Sequence, residues 1–86
     1  MKFLVIWSFR VTSITSDVIK NIFSLREYAK SLKEKGKLEM YYHIVGKHGG
    51  AWIFNVESNE ELENLIAAMP VYNLVEYEIY PLTEMH

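Results

Sequence analysis

The segment Met1 to Phe9 puts Phe3, Val5, Trp7 and Phe9 on one side of an extended chain and Leu4, Ile6 and Ser8 on the other. Its β-branched and aromatic content favours a strand. Such a strand is apolar on both sides and has to be covered on both. It is therefore predicted to lie in the centre of a sheet, with helices over one face and a further apolar layer against the other.

Beyond Phe9 the chain alternates between helical and extended periodicity. Thr12, Ser13, Thr15 and Ser16, with Asp17 behind them, supply side-chain oxygens for the free N–H groups of a helix beginning near Ser16. Val18, Ile22, Leu25, Ala29 and Leu32 then form one apolar stripe at helical spacing, and Lys33 and Lys35 suit the negative end of the helix dipole. Gly36 provides a left-handed stop. Lys37 to Val45 alternates as a strand, and Gly46-Lys47-His48-Gly49-Gly50 turns the chain into a further strand over Ala51 to Val56.

Ser58-Asn59-Glu60-Glu61 has the form of a capping box, opening a short helix that buries Leu62, Leu65, Ile66 and Met69. Pro70 ends it. Leu74 to Tyr80 reads as the last strand, stopped by Pro81.

The order β, α, β, β, α, β predicts one ferredoxin-like α+β domain over residues 1–86, a four-stranded antiparallel sheet with both helices on one face. Alternation places Phe3, Val5, Trp7, Leu38, Met40, Tyr42, Ile44, Val75, Tyr77 and Ile79 beneath the helices. Leu4, Ile6, Tyr41, His43, Glu76, Glu78 and Tyr80 are then expected on the open face. A single bulge reverses part of this assignment.

Composition narrows the functional classes. The chain is 50% hydrophobic and 14% aromatic over only 86 residues, so a partner is expected on the open face. A net charge of -2 offers no field for nucleic acid. The longest apolar run, Phe3 to Trp7, is far below a membrane span, and the absence of cysteine fits a reducing, cytoplasmic setting. His43, His48 and His86 fall on a strand, a turn and the C-terminus, without the convergence a metal needs.

From the middle of helix one to Pro81-Leu82 the chain resembles the muconolactone isomerase family. The resemblance rests on Gly36-Lys37, Gly46, Phe54-Asn55-Val56-Glu57-Ser58-Asn59-Glu60-Glu61-Leu62, Leu65, Pro70, Glu78 and Pro81-Leu82. It implies a dimeric α+β barrel, with homodimers joined through the open sheet faces and in some members assembled into rings of dimers. It also implies an isomerase that moves a proton to shift a lactone double bond, without metal or organic cofactor. Such isomerases carry a carboxylate on helix one where this chain aligns Leu25. They are more polar on strand one, where this chain has Leu4 and Ile6, and often have arginine at the position of His43.

The candidate catalytic residues are His43, Tyr41 and Glu78, a titratable group expected to share the open face, histidine being the residue type that titrates near neutral pH. Two functions fit them. One is a cofactor-free isomerase acting on a small lactone or other product of aromatic degradation in an inter-subunit cavity. The other is a non-catalytic module that binds a small apolar ligand, or only assembles, with His43 a hydrogen-bonded interface residue. Trp7, Trp52 and Phe54 read as core or interface aromatics, with ligand stacking an alternative at Trp52.

Overall fold

The computed structural model describes residues 1–10 and 16–85, and the side chains of all of these except 16–19. Thr12, Ser13 and Thr15 of the expected helix start, the side chains of Ser16, Asp17 and Val18, and His86 lie outside the described residues. The elements run β1 (Lys2–Phe9), α1 (Ser16–Glu34), β2 (Leu38–His43), β3 (Gly49–Asn55), α2 (Asn59–Ala67), a short 3-10 turn (Tyr72–Leu74) and β4 (Val75–Leu82). The strands form an antiparallel sheet in the order β2-β3-β1-β4. This is the expected ferredoxin-like α+β arrangement, with β1 inside the sheet.

One face of β1 supplies the core. Phe3, Val5 and Trp7 are buried with Trp52 and Phe54 of β3, Leu25, Ala29 and Leu32 of α1, and Leu62 and Ile66 of α2. No polar or charged residue is buried among the described residues. The aromatic rings meet edge to face, Trp7 standing 5.9 Å from Trp52 at 83° and 5.7 Å from Phe9 at 84°.

Both helix ends obey their local sequence. At the end of α1, Gly36 adopts φ 74°, its N–H donates to the Lys33 carbonyl, and the Lys37 N–H donates to the Leu32 carbonyl. These two bonds satisfy carbonyls that the last turn leaves free. At the start of α2 the Glu61 N–H donates to Ser58 Oγ at 3.1 Å, as the capping box requires. The Glu61 carboxylate accepts instead from the Glu57 N–H, one residue before the cap, at 2.8 Å. That bond and the Lys37 ammonium, 3.0 Å away, hold the Glu61 carboxyl below the usual carboxylate range.

Three local features differ from the sequence-based expectation. The register slips between Leu38 and Met40, so Leu38 pairs with Phe54 but Met40 pairs with Ile53, one residue further along the opposite face. From the bulge onward β2 is inverted: Met40 and Tyr42 lie on the open face, while Tyr41 and His43 lie on the helix side opposite Trp52 and Gly50. Strand β4 does not stop at Pro81 but runs to Leu82. An edge strand tolerates a proline because the missing N–H can point away from its only neighbour.

Finally, Gly49 and Gly50 belong to β3 rather than to the turn. A Cβ on Gly49 would lie 2.1 Å from the Trp7 carbonyl oxygen, and one on Gly50 would lie 2.8 Å from the Tyr42 carbonyl oxygen and 2.9 Å from Cε2 and Cζ2 of the Trp7 ring. The turn glycine, Gly46, is there for another reason: it has φ 85° and open space around it.

Alanine substitutions should separate these roles in urea denaturation. Gly46→Ala meets only the left-handed backbone penalty, about 1–2 kcal/mol. Gly50→Ala must displace a buried indole and press on the Tyr42 carbonyl oxygen, and should cost more, roughly 1–3 kcal/mol from crowding. Gly49→Ala brings its Cβ to 2.1 Å from main chain, against 2.8 Å at Gly50, and should be the most damaging of the three. Equal losses at Gly46 and Gly49 would contradict this account.

Candidate functional site

The sheet separates the chemistry-bearing residues into two groups. On the open face, β1 contributes Leu4, Ile6 and Ser8, and β3 contributes Ala51 and Ile53. Strand β4 adds Glu76, Glu78, Tyr80 and Leu82 opposite Ser8, Ile6, Leu4 and Lys2, while β2 adds Met40 and Tyr42. The Lys2 ammonium meets the Glu39 carboxylate at 3.1 Å at one end of this face. Met40, Tyr42, Tyr80 and Leu82 are each more than two-fifths exposed in the single chain. A continuous apolar surface of this kind marks an interaction face.

At the other end of the open face the side chains become polar around a cavity of about 110 Å³. It is lined by Ile6, Trp7, Ser8, Ile44, Lys47, Glu76, Tyr77 and Glu78. Lys47 reaches it from the β2–β3 turn and makes no ion pair among the described residues. The Tyr80 hydroxyl donates to Glu78 Oε2 at 2.8 Å. That bond, and the carboxylate charge, raise the Tyr80 phenol above its ordinary range, since ionising it would set two anions side by side. Glu76 is 3.7 Å from Arg10.

The helix side holds the other group. Tyr41 and His43, expected beside Glu78, are carried by the bulge to the opposite face of the sheet, at the exposed edge of β2. Within one chain the three candidate residues therefore do not converge. His43 pairs with Gly50 and Gly50 with Trp7, so a row crosses three strands. Trp7 is 7% exposed, and its indole Nε1 has no hydrogen-bond partner among the described residues. An unpaired buried donor costs about 1–3 kcal/mol. In the sequence Trp7 reads as a core or interface aromatic; only the register shows a bare glycine beside it and an imidazole beyond.

Leu25 is 4% exposed and part of the core, so α1 presents no carboxylate there, and Glu27 is exposed to solvent. Among the described residues no three His, Cys, Asp or Glu side chains are placed to hold a metal ion. No helix among them is long and apolar enough to cross a membrane.

A family model described as muconolactone delta-isomerase matches residues 1–86. The chain belongs to the muconolactone isomerase family. It is 32% identical over 71 residues to the muconolactone delta-isomerase of Acinetobacter baylyi, covering 81% of this chain and 74% of that protein. It is 30% identical over 59 residues to that of Cupriavidus pinatubonensis, covering 69% of this chain and 64% of that protein. It is 32% identical over 57 residues to one from Acinetobacter lwoffii, covering 66% of this chain and 59% of that protein. The matched part is thus less than two thirds of the latter two relatives.

Solved structures share the fold. A muconolactone isomerase crystal structure aligns with a TM-score of 0.87 at 21% identity, covering 99% of this chain and 91% of the other. A 5-chloro-2-hydroxyhydroquinone dehydrochlorinase from Burkholderia phenoliruptrix, in complex with 2,5-dihydroxybenzoquinone, aligns at 0.81 and 20% identity, covering 99% and 96%. The family scaffold is therefore present throughout, while Leu25 on α1 is taken up by the core.

The Tyr80–Glu78 bond has a spectroscopic consequence. Glu78→Gln removes the charge that opposes phenolate formation, so Tyr80 should titrate at lower pH in the variant. Ultraviolet difference titration against Tyr80→Phe would assign the step. An unchanged titration would mean that the two groups are not bonded in solution.

Proposed function

We propose that this chain is a cofactor-free isomerase. Its substrate is a small lactone or related oxygenated ring product of aromatic degradation, held in a cavity that closes when two copies join through their open sheet faces. The observation that carries this reading is Glu78, held by the Tyr80 hydroxyl at 2.8 Å and lining a polar cavity at the end of an otherwise apolar face. Family membership supports it. So do the names of the relatives, which attach to a lactone and to a hydroxylated aromatic ring.

Size argues for the second copy. The cavity beside Glu78 is about 110 Å³ in one chain. An apolar cavity that binds benzene is about 150 Å³, so a substituted ring needs additional walls. Leu4, Ile6 and Ile53 of a facing subunit would provide them and remove exposed apolar surface from water at the same time.

In this site the Glu78 carboxylate takes a proton from the carbon next to the ring carbonyl. The electron pair moves onto that oxygen, and the same proton returns at the far end of the conjugated system. The substrate and product are isomers, and nothing is oxidised or reduced. Lys47, which lines the same cavity, supplies positive charge near the developing oxyanion. Tyr80 fixes the carboxylate that performs the transfer. His43 and Tyr41 face the other way and take no part in this step.

Removing a general base from such a reaction typically costs 10²–10⁴ in rate, so Glu78→Gln should lower kcat at least about 100-fold while the unfolding midpoint stays near that of the parent protein. His43→Ala should retain turnover. Full activity in Glu78→Gln would overturn the assignment. If the parent protein binds a butenolide but never converts it, the non-catalytic reading, which the buried Leu25 favours, replaces this one. Leu4→Lys tests the assembly: sedimentation should show a smaller species than the parent protein forms.

A further inference from the structure

Glu76 is the one charged residue lining the open-face cavity to which the proposed reaction gives no part. It stands two residues before Glu78 on β4, opposite Ser8 as Glu78 is opposite Ile6, so both carboxylates share the open face. Lys47 is the third charged residue of the lining. With one cation against two anions, the cavity carries one negative charge in excess.

No other cation among the described residues makes up the difference. Lys2 is at the far end of the face, bonded to Glu39 at 3.1 Å. Arg10 comes to 3.7 Å from Glu76 without lining the cavity, and both side chains are more than half exposed, a setting in which ion pairs are weak. The bulge in β2 takes His43 to the helix side of the sheet. Lys47 itself is engaged, since the developing oxyanion needs its charge.

We infer that Glu76 sets the charge specificity of this cavity: the site takes an uncharged lactone or related ring and rejects one that carries a carboxylate. The inference rests on the reading of the cavity as the isomerase site and narrows its substrate class. In a space of about 110 Å³ a carboxylate on the substrate comes close to both Glu76 and Glu78. Like unit charges about 4 Å apart weaken binding about fivefold even in bulk water, and more once a facing subunit excludes water. A substrate carboxylate would also compete with the oxyanion for Lys47, binding the ground state with the charge that the transition state requires. Glu78 cannot be spared from a proton transfer, whereas Glu76 is free to act as the discriminating charge.

The test reads binding with two size-matched probes that cannot isomerise. Both are saturated five-membered lactones, one with a carboxymethyl substituent on the ring and the other with the corresponding carboxamidomethyl group. In the intact protein each is titrated at low salt while the Ile6 and Ile44 methyl resonances are followed. The amide should bind about tenfold more tightly than the carboxylate, and salt should shrink that preference. Glu76→Gln, at an exposed position, should bring the ratio of the two affinities close to one. Lys47→Gln should increase it.

A carboxylate that binds as well as the amide or better, a preference that neither salt nor Glu76→Gln alters, or no binding of either probe overturns the inference. Conversion of an unsaturated lactone is measured separately, so the two readings fail distinguishably. Turnover with no preference for the amide removes the specificity and keeps the reaction. The expected preference without turnover removes the reaction and keeps the role of Glu76 in binding.

Discussion

Burial of β1 on both faces is the constraint on which the rest of this fold depends. Phe3, Val5 and Trp7 take one face into the core, and Leu4 and Ile6 take the other to a surface that a single chain leaves half open. A strand of this kind cannot sit at an edge, because only central strands have neighbours dense enough on either side to cover it. β3 and β4 flank it accordingly, and β2 and β4 are left to protect the edges. They do so by the usual means, a bulge in β2 and a proline in β4, each of which interrupts the flat ladder that another chain could extend.

Close packing around Trp7 is the local expression of the same constraint. The indole leaves no room for a side chain at Gly50, and the β1 main chain leaves none at Gly49, so β3 approaches β1 with two glycines in succession. In the sequence these glycines look like turn residues, since glycine serves turns more often than it serves close backbone approach. The register alone distinguishes the two uses. Gly46 has the positive φ that a turn requires, whereas Gly49 and Gly50 are ordinary strand residues whose missing Cβ atoms are their purpose.

The parity of β1 and β4 was legible because one set of alternate residues is bulkier or more apolar than the other, and both strands keep a single register along their length. β2 is different. Glu39, Tyr41 and His43 on one side and Met40, Tyr42 and Ile44 on the other are both amphipathic enough for an edge, so no hydrophobic signal reports a slipped residue. The expected grouping of His43, Tyr41 and Glu78 failed at that point. Helix α1, its glycine stop and the Ser58 cap were legible because capping chemistry is local and needs no knowledge of register. Ile79 shows a further limit: it pairs with Val5 on the helix side as its alternation requires, yet stays 46% exposed on the edge strand β4.

Leucine at position 25, where the resemblance to the isomerases implies a carboxylate, has an energetic logic of its own. A carboxylate at a position with 4% exposure in an apolar core would have to be paired or protonated. With leucine there, the interior of this chain is free of buried charge among the described residues, and its stability does not depend on a partner for such a charge. Position 25 thus offers no base to a substrate. In the proposed reaction the proton transfer falls to Glu78, a side chain that a strand carries. The bulge at Glu39 decides which face each receives: it sends the histidine to the side with the unused indole N–H and leaves the carboxylates on the side with the cavity. A single extra residue in one edge strand thus divides what alternation would have assembled into one group, and it gives each face of the sheet its own chemistry.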